Sequence, residues 1–520
     1  MDTLAAEPPA RRGDRRLTPG RRDALVLAGL FLAAALISGF TMLRAVDPFD
    51  EGLMLQAARR VADGQVPYRD FLWSYGPAQP YLLGGLSKLF GVSLLDWRVL
   101  RVLADAGVAL VVFVIARREA GPRLATVGWL AAACAMAQPR SANPFPLALL
   151  AALGALAVAT SGPPNRRRVI LAALLTAVAA AFRLDFAIYA GAAVAAGFAV
   201  ARNWRPAAVY AAATAGLTLL VYLPFLIATG PADLYDALVG TSLRDKDHWT
   251  LPFPVDYPGG LNGLRDVKDV IDFYLPVALV AGLAVGAFAV LVRAVRERSL
   301  PPSWAALLVF GAGCLAYLLS RTDEFHAAPL LVLLAILLPI VIARSGPRWI
   351  AGAAAVALVF LLVQGAWNRA SALLRPPAME PIHVAVADGV EAPPAEARAI
   401  ERMVAAVQRR VPPGDPIYVV SRRSDLVRFN SPLVYVLTER DNPTPRDFGL
   451  ETGAAAQAQI VATLRRVRPR AVVRWTDPIS TEREPNLRGR PSGVRTLDDF
   501  LALRYRLAER DGVYDVLVPR

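Results

Sequence analysis

Long apolar segments recur along the first three quarters of the chain, separated by short polar links. The first, residues 24–43, is long enough to cross a hydrocarbon core of roughly 30 Å. Ten more follow, at residues 99–116, 123–138, 145–160, 169–182, 186–201, 206–229, 273–295, 303–319, 327–343 and 348–367. The pattern predicts an α-helical polytopic membrane protein with about 11 transmembrane helices.

The links differ in charge, and the difference predicts sidedness. Arginine-rich links follow every second span, at residues 116–119, 165–168, 202–205, 293–298 and 344–348. Because basic links stay in the cytoplasm, the basic N-terminus (1–23) is expected there too. The loop 44–98 and everything after the last span are then extracytoplasmic. We therefore expect a multi-pass protein of the cytoplasmic membrane.

Beyond residue 375 the pattern changes to short apolar runs alternating with amphipathic stretches. Residues 416–421, 432–438, 471–476 and 513–519 are typical of buried strands, and 396–410, 454–468 and 496–510 of amphipathic helices. This alternation predicts a small C-terminal α/β domain, residues 376–520, outside the membrane. Residues 24–375 form the membrane domain, with interfacial helices expected in its first external loop.

Composition supports the membrane assignment and argues against other classes. The chain is 55% hydrophobic and 19% charged, with a mean hydropathy of +0.41. The net charge is +14, but most of the excess lies beside the predicted spans and only three basic residues are lysines. We therefore expect membrane lipids and no nucleic acid among the partners. Cys134 and Cys314 fall inside apolar runs and are expected to be packing residues.

Five carboxylates lie in the stretch that follows the first span, VDPFDEGLMLQAARRVADGQVPYRDF (46–71), and four of them, Asp47, Asp50, Glu51 and Asp63, lie within or beside its predicted helix. Its spacing predicts a short amphipathic helix lying flat on the membrane surface and ended by Gly64. Asp50 falls where an N-cap belongs and Glu51 in the first turn, so the helix dipole should keep both ionised. Asp50 is then either only a cap, or a general base or hard-cation ligand.

A family resemblance is carried by residues 47–91, which contain the motif DEG, the amphipathic helix, GQVPYRDF and YGPAQPYLLGGLSKLFG. Together they resemble the first external loop of polyprenyl-phosphate-sugar-dependent C-type glycosyltransferases, which are related to protein O-mannosyltransferases and aminoarabinose lipid A transferases. The resemblance implies a polyprenyl-phosphate-linked sugar as donor, an envelope glycan, lipid or protein as acceptor, and Asp50 as the catalytic carboxylate. Asp47 is a second participant, and a double displacement would need Glu51 or Asp47 as nucleophile. The resemblance favours inversion.

A leaving phosphate needs cations on the same side. Arg183 and Asp185 lie between two predicted spans at the outer surface, and Arg321, Asp323 and His326 between two others. Such groups at span ends are functional candidates, and a bidentate arginine suits a phosphate. We expect Arg183, Arg321 and His326 to hold the donor phosphate and Asp185 and Asp323 to bind substrate. The alternatives are arginines snorkelling to the interface and a histidine that merely ends a helix.

Tyr68, Asp70 and Tyr75 are the remaining substrate-binding candidates. The aromatic residues of this stretch fit either an interfacial belt or a sugar-stacking platform. The loop 241–260 is either a lid over the acceptor site or a connector. The C-terminal domain is expected to shape the acceptor site without carrying chemistry, since its strand ends lack polar clusters.

No phosphate-binding loop, dinucleotide fingerprint or cysteine metal spacing is present. No cofactor is therefore indicated, and a divalent cation held by the carboxylates is the one candidate. Two rival functions stay open. A transporter or flippase of lipid-linked glycans would place charges near the bilayer midplane, as Asp105 is placed. A membrane anchor that displays the C-terminal domain is the other.

Overall fold

The computed structural model describes residues 19–140, 143–260, 263–374, 376–447 and 451–520. The arginines between residues 11 and 16, on which part of the cytoplasmic N-terminus prediction rests, lie outside this range.

Helices cover most or all of each of the eleven long apolar runs predicted to be spans. The long helices are α1 (Pro19–Gly39), α4 (Leu94–Met136), α5 (Phe145–Ala159), α6 (Arg166–Phe182), α7 (Leu184–Val200), α8 (Trp204–Thr229), α13 (Leu275–Glu297), α14 (Pro302–Ser320), α15 (Glu324–Arg344) and α16 (Arg348–Leu374). Seven of the described helices are long and apolar enough to span a membrane. The polytopic helical fold is therefore confirmed, whereas the count of eleven is not.

One element, α4, contains two of the predicted runs. Gly121 has a left-handed φ of 77° and Pro122 follows it, so the helix breaks between the runs 99–116 and 123–138. The second part of α4 packs against α15, where a Cβ on Gly128 would lie 2.1 Å from the carbonyl oxygen of Ala335. Every residue of α15 from 327 to 341 is buried. The α4–α15 contact thus lies in the main apolar core of the membrane domain.

Asp105, the charged residue that favoured a transporter, is paired with neighbouring side chains. Asp105 accepts from Arg101 Nε at 2.7 Å and from Ser38 Oγ at 2.8 Å. All three side chains are buried, and the hydrogen bond from Ser38 joins α1 to α4. Asp105 is therefore accounted for as a structural group.

The first external loop contains α2 (Asp50–Ala62) and α3 (Ala78–Phe90). Gln56 and Arg60, on the polar side of α2, are only 2% and 5% exposed. Arg60 forms a bidentate pair with Asp447 of the C-terminal domain, at 2.6 and 2.9 Å. Both sides of α2 are covered by protein, so the helix does not present a free apolar face to the membrane, and its orientation relative to the membrane stays a prediction. Its termination at Gly64, whose φ is 87°, is confirmed.

Shorter helices and strands complete the chain. Between α8 and α13 lie α9 (Pro231–Tyr235), a π-helix (Asp236–Gly240), α10 (Thr241–Arg244), α11 (Lys246–Trp249) and α12 (Leu264–Phe273). The C-terminal helices are α17 (Pro394–Arg410), α18 (Leu433–Thr438), α19 (Ala454–Val467) and α20 (Thr496–Arg504). The strands are β1 (Glu380–Pro381), β2 (Glu391–Ala392), β3 (Tyr418–Ser421), β4 (Val472–Trp475), β5 (Tyr505–Asp511) and β6 (Tyr514–Pro519).

The C-terminal domain is a mixed four-stranded sheet of order β3-β4-β6-β5 with helices on both faces. Only β3 and β4 run parallel. The small α/β domain is confirmed, but two of its elements were predicted wrongly. Residues 432–438 form helix α18, since a short apolar run does not distinguish a strand from a buried helix. The predicted helix 496–510 ends at Arg504 and continues as β5.

Alternate residues of each strand enter different cores, as the pleat requires. Tyr418, Val420 and Val472 pack with α19 and α20. Val419 and Val473, by contrast, join an apolar core that also contains residues of the first external loop. Gly52 shows how close this contact is, since a Cβ there would lie 2.2 Å from the backbone nitrogen of Leu433. The C-terminal domain therefore packs directly on the helix that carries Asp50.

Candidate active site

A cavity of about 730 Å³ lies where the first external loop, the span ends and the C-terminal domain meet. It brings together Asp50, Tyr75, Arg183, Asp185, Arg321, Asp323 and His326. These residues come from three separate parts of the sequence. The structure thus unites seven of the eleven predicted site residues in one cavity.

Asp47, not Asp50, caps helix α2. The Asp47 Oδ1 atom accepts the backbone N–H groups of Phe49 and Asp50, both at 3.0 Å. Asp50 is itself the first helical residue and makes no side-chain cap. The predicted N-cap role of Asp50 is therefore wrong, and Asp47 does not line the cavity.

The Asp50 carboxylate is left available to a ligand. Within the described residues it accepts no hydrogen bond and forms no salt bridge, yet it lines the cavity. Burial raises the pKa of Asp50 to about 7, and the negative charges of Asp47 and Asp323 act in the same direction. The expectation that the helix dipole holds Asp50 ionised is therefore not met. A pKa near neutrality suits a general base.

Glu51 is occupied by a structural ion pair. Its two carboxylate oxygens accept from Arg98 Nε at 2.6 Å and Nη2 at 2.8 Å, and both side chains are 0% exposed. Arg98 also donates to the backbone oxygens of Met42 and Ala45, each at 2.7 Å. The pair therefore joins α2 to α4, and Arg98 also holds the segment that follows α1. Glu51 is absent from the cavity lining.

Arg183 lies at the junction of α6 and α7 and is held by several groups. It makes a bidentate pair with Asp185, at 3.1 and 2.6 Å, and donates to Asn143 Oδ1 at 2.8 Å. Its guanidinium also lies over the rings of Tyr75 and Tyr317, at 5.3 and 4.9 Å. Arg183 is thus rigidly placed, with much of its charge already paired.

The link between α14 and α15 supplies the second group. Arg321 Nε donates to Asp323 at 2.7 Å and Arg321 Nη2 to Glu484 of the C-terminal domain at 2.7 Å. His326 Nδ1 lies 2.6 Å from Asp323 Oδ1. Burial acts to raise the pKa of Asp323. The hydrogen bond from His326 acts in the opposite direction and helps to lower this pKa below its usual value. His326 therefore presents its Nε2 atom as the ring nitrogen free for a ligand.

Two predicted substrate-binding residues lie outside the cavity. Tyr68 has a left-handed φ of 71°, and its hydroxyl donates to the backbone oxygen of Tyr75 at 2.6 Å. Asp70 accepts from Val66 N at 2.7 Å and pairs with exposed Arg69. Both residues shape the turn that precedes Tyr75, whereas Tyr75 itself lines the cavity.

Sequence reasoning missed the contribution of the C-terminal domain, which was expected to carry no polar site. Phe429, Arg446 and Arg488 line the cavity. Arg488 is only 4% exposed, and its guanidinium lies 3.9 Å above the ring of Trp249. It belongs to an irregular segment rich in charge, residues 481–490. Such a segment has no periodicity that would separate a buried arginine from a surface one.

The loop 241–260 covers part of the cavity through α10, α11 and Trp249. The backbone oxygen of Trp249 accepts from Arg321 Nη1 at 3.0 Å. Thr322 Oγ1 donates to the backbone oxygen of Pro252 at 2.7 Å. The loop is thus an ordered wall, which agrees with a covering role better than with a mere connector.

Among the described residues, no cluster of three or more His, Cys, Asp or Glu side chains has an arrangement suited to a metal ion. The divalent cation therefore stays a prediction, and no step of the reaction is derived through it.

The fold is similar to that of two membrane proteins of known structure. ArnT from Cupriavidus metallidurans, bound to undecaprenyl phosphate, is 15% identical, with a TM-score of 0.57 over 95% of this chain and 98% of its own. The archaeal oligosaccharyltransferase AglB from Archaeoglobus fulgidus, in complex with an inhibitory peptide and a dolichol-phosphate, is 13% identical. Its TM-score is 0.52, over 87% of this chain and 69% of its own.

A second structure of the Archaeoglobus fulgidus oligosaccharyltransferase contains zinc and sulfate. It is 14% identical, with a TM-score of 0.51 over 86% of this chain and 67% of its own. No protein-family model and no curated protein sequence matches the chain. At these identities the likeness establishes the fold, and the chemistry must be argued from the cavity.

Proposed function

We propose that the protein transfers a sugar from a polyprenyl-phosphate donor to an envelope acceptor on the outer face of the cytoplasmic membrane. One observation carries the proposal: the unpaired carboxylate of Asp50 shares a cavity with Arg183, Arg321 and His326. A base and a set of cations are what a glycosyl phosphate and an incoming hydroxyl require. The shared fold of enzymes with polyprenyl-phosphate carriers supports this reading.

Asp50 acts as the general base in a single displacement. As the acceptor hydroxyl attacks the anomeric carbon, its proton passes to the Asp50 carboxylate. The bond from the anomeric carbon to the phosphate oxygen breaks, and polyprenyl phosphate leaves with the electron pair. Inversion is supported because the two candidate nucleophiles of a double displacement, Asp47, the cap, and Glu51, the partner of Arg98, do not line the cavity.

Arg183, Arg321 and His326 hold the donor phosphate in this proposal. His326 contributes Nε2, and the arginines supply guanidinium groups that exchange part of their carboxylate contacts for phosphate oxygens. Tyr75 and Tyr317, whose rings lie against Arg183, form an apolar wall against which a sugar ring can pack. Asp185 and Asp323 keep the cations oriented.

The transporter alternative loses its main support, since Asp105 is paired and buried beside Arg101. The anchor alternative does not account for a cavity that both domains build together. No observation favours a second function.

Mass spectrometry tests the proposed transfer directly. Purified protein in lipid nanodiscs is incubated with polyprenyl-phosphate sugars and an envelope extract, and release of free polyprenyl phosphate is measured. We expect release that depends on the extract and is lost in Asp50→Asn. Release from the Asp50→Asn protein at the wild-type rate would contradict the assignment.

A further inference from the structure

Arg488 is a buried cation that forms no direct salt bridge within the described residues. Within the described residues, its guanidinium makes one hydrogen bond, from Nη2 to the backbone oxygen of Arg428. Its Nε atom is buried without a hydrogen-bond partner among the described residues. Burial lowers the pKa of Arg488 to about 9; the charges of Arg321 and Arg428 act in the same direction, and the charges of Glu484 and Asp50 act against it.

Two other arginines of the cavity, Arg183 and Arg321, are compensated. Arg183 pairs with Asp185, and Arg321 pairs with both Asp323 and Glu484. Glu484 also pairs with Arg428, so its charge is shared between two arginines. Arg488, by contrast, forms no salt bridge within the described residues. A buried guanidinium without a directly paired carboxylate is costly, which indicates that an anion completes the site.

The position of Arg488 restricts what that anion is. It lines the cavity, its charge interacts with that of Asp50, and stacking on Trp249 holds its planar group in place. A planar, preorganised guanidinium with unused donors matches a phosphate, which accepts two parallel hydrogen bonds.

We propose that Arg488 of the C-terminal domain binds the phosphate of the lipid-phosphate donor, so that the donor site is completed only when this domain is docked. This inference rests on the proposed function and extends it. It replaces the expected division of labour, in which the C-terminal domain serves the acceptor alone. It also explains why the domain shares an apolar core with the loop that carries Asp50.

Ligand-induced thermal stabilisation and native mass spectrometry test the proposal on the full chain in nanodiscs. The probes are polyprenyl phosphate, the phosphate-free polyprenol and inorganic phosphate. Arg488→Met removes the charge while keeping much of the volume over Trp249, and Arg488→Lys keeps the charge without the fork. Arg483→Gln, an exposed arginine of the same segment, is the matched control.

We expect Arg488→Met to weaken polyprenyl phosphate binding by about ten- to a hundredfold, the usual cost of losing hydrogen bonds to a charged group. Arg488→Lys should weaken it less, and Arg483→Gln should not change it. Polyprenol binding should be the same in all four proteins. The ligand-free melting temperature should not fall in Arg488→Met, because a costly unpaired charge is removed.

Three results would overturn the proposal. Folded Arg488→Met and Arg488→Lys proteins that bind polyprenyl phosphate like the wild type would remove Arg488 from the donor site while leaving the proposed function intact. Inorganic phosphate that binds through Arg488 as tightly as the lipid would assign the site to a soluble anion. A wild-type protein that does not distinguish polyprenyl phosphate from polyprenol would reject the proposed function as well.

Discussion

The Asp47 carboxylate accepts the backbone N–H of Asp50 at 3.0 Å, so one acid starts the helix and the other faces the cavity. The two roles that the sequence left open for Asp50 are thereby divided between two residues. Capping is satisfied by Asp47 without using Asp50. This division can be tested because the two residues predict opposite patterns of stability and activity.

Asp50→Asn should abolish most transfer without destabilising the protein. We expect the rate to fall by on the order of 10² to 10⁴-fold, the usual contribution of a positioned base. Asp47→Ala should instead lower stability by about 1 kcal/mol, the usual cost of a lost cap. Turnover assays and thermal unfolding of both variants check this. A destabilised Asp50→Asn protein that keeps its activity would reverse the two roles.

Transfer should depend on the ionisation of Asp50. Burial, together with Asp47 and Asp323, raises the pKa of Asp50 to about 7, and only the ionised form accepts a proton. We expect kcat/KM to rise about tenfold per pH unit below pH 7 and to level off above it. The pH profile of the wild type, with the residual rate of Asp50→Asn as control, measures this. A flat profile between pH 5 and 8 would exclude Asp50 as the base.

The same pKa shift has an opposite effect on stability. Because the folded-state pKa of Asp50 lies above its unfolded value of about 3.9, the folded state binds the extra proton between these two values. Its contribution to stability is therefore full at low pH and is lost as the pH rises towards 7. Above pH 7, Asp50→Asn should unfold at the same temperature as the wild type or higher. A lower melting temperature there would show that the charged carboxylate is stabilised after all.

Much of the site could be predicted because its residues lie at the ends of apolar runs. Two charged groups interrupt otherwise apolar sequence: Arg183 with Asp185, and Arg321 with Asp323 and His326. The charge of the cytoplasmic links predicts that both groups lie on the same side of the membrane as Asp50. The sequence does not predict which charged side chains contact each other in the folded protein. No local sequence feature distinguishes Glu51, which forms a buried ion pair with Arg98, from Asp50, one position earlier, which lines the cavity.

The contribution of Arg488 depends on tertiary packing alone. Its segment, TEREPNLRGR (481–490), has the composition of a solvated loop, yet Glu484, Asn486 and Arg488 are all buried. The sheet was easier to predict, since β3, β4 and β6 are short apolar runs bounded by turns. Residues 432–438 are apolar like these strands but form helix α18. In the folded protein Leu433 packs closely against Gly52, a tertiary contact that the local sequence does not reveal.

The loop 44–98 and the C-terminal domain should be accessible from outside the cell. They share one apolar core, so they must lie on one side of the membrane, and the arginine-rich links predict which side. Cysteines replacing the exposed residues Asp63 and Arg422 should react with an impermeant maleimide in intact cells. Native Cys134 and Cys314 are buried and should give little background.

A cysteine replacing Arg167, an exposed residue of a predicted cytoplasmic link, is the control and should react only after permeabilisation. Labelling of Arg167→Cys in intact cells together with protection of Arg422→Cys would invert the predicted topology.

Breaking the Glu51–Arg98 pair should damage the fold more than the chemistry. Both side chains are fully buried, so Glu51→Gln leaves a guanidinium without a counter-charge, which typically costs about 3–5 kcal/mol. Glu51→Gln combined with Arg98→Met should recover part of this loss, because the stranded charge is removed. The exposed pair Arg398–Glu380 is the control, and Glu380→Gln should cost less than about 1 kcal/mol. If Glu51→Gln unfolds like the wild type but transfers as slowly as Asp50→Asn, then Glu51 takes part in the reaction and its pairing with Arg98 is broken during turnover.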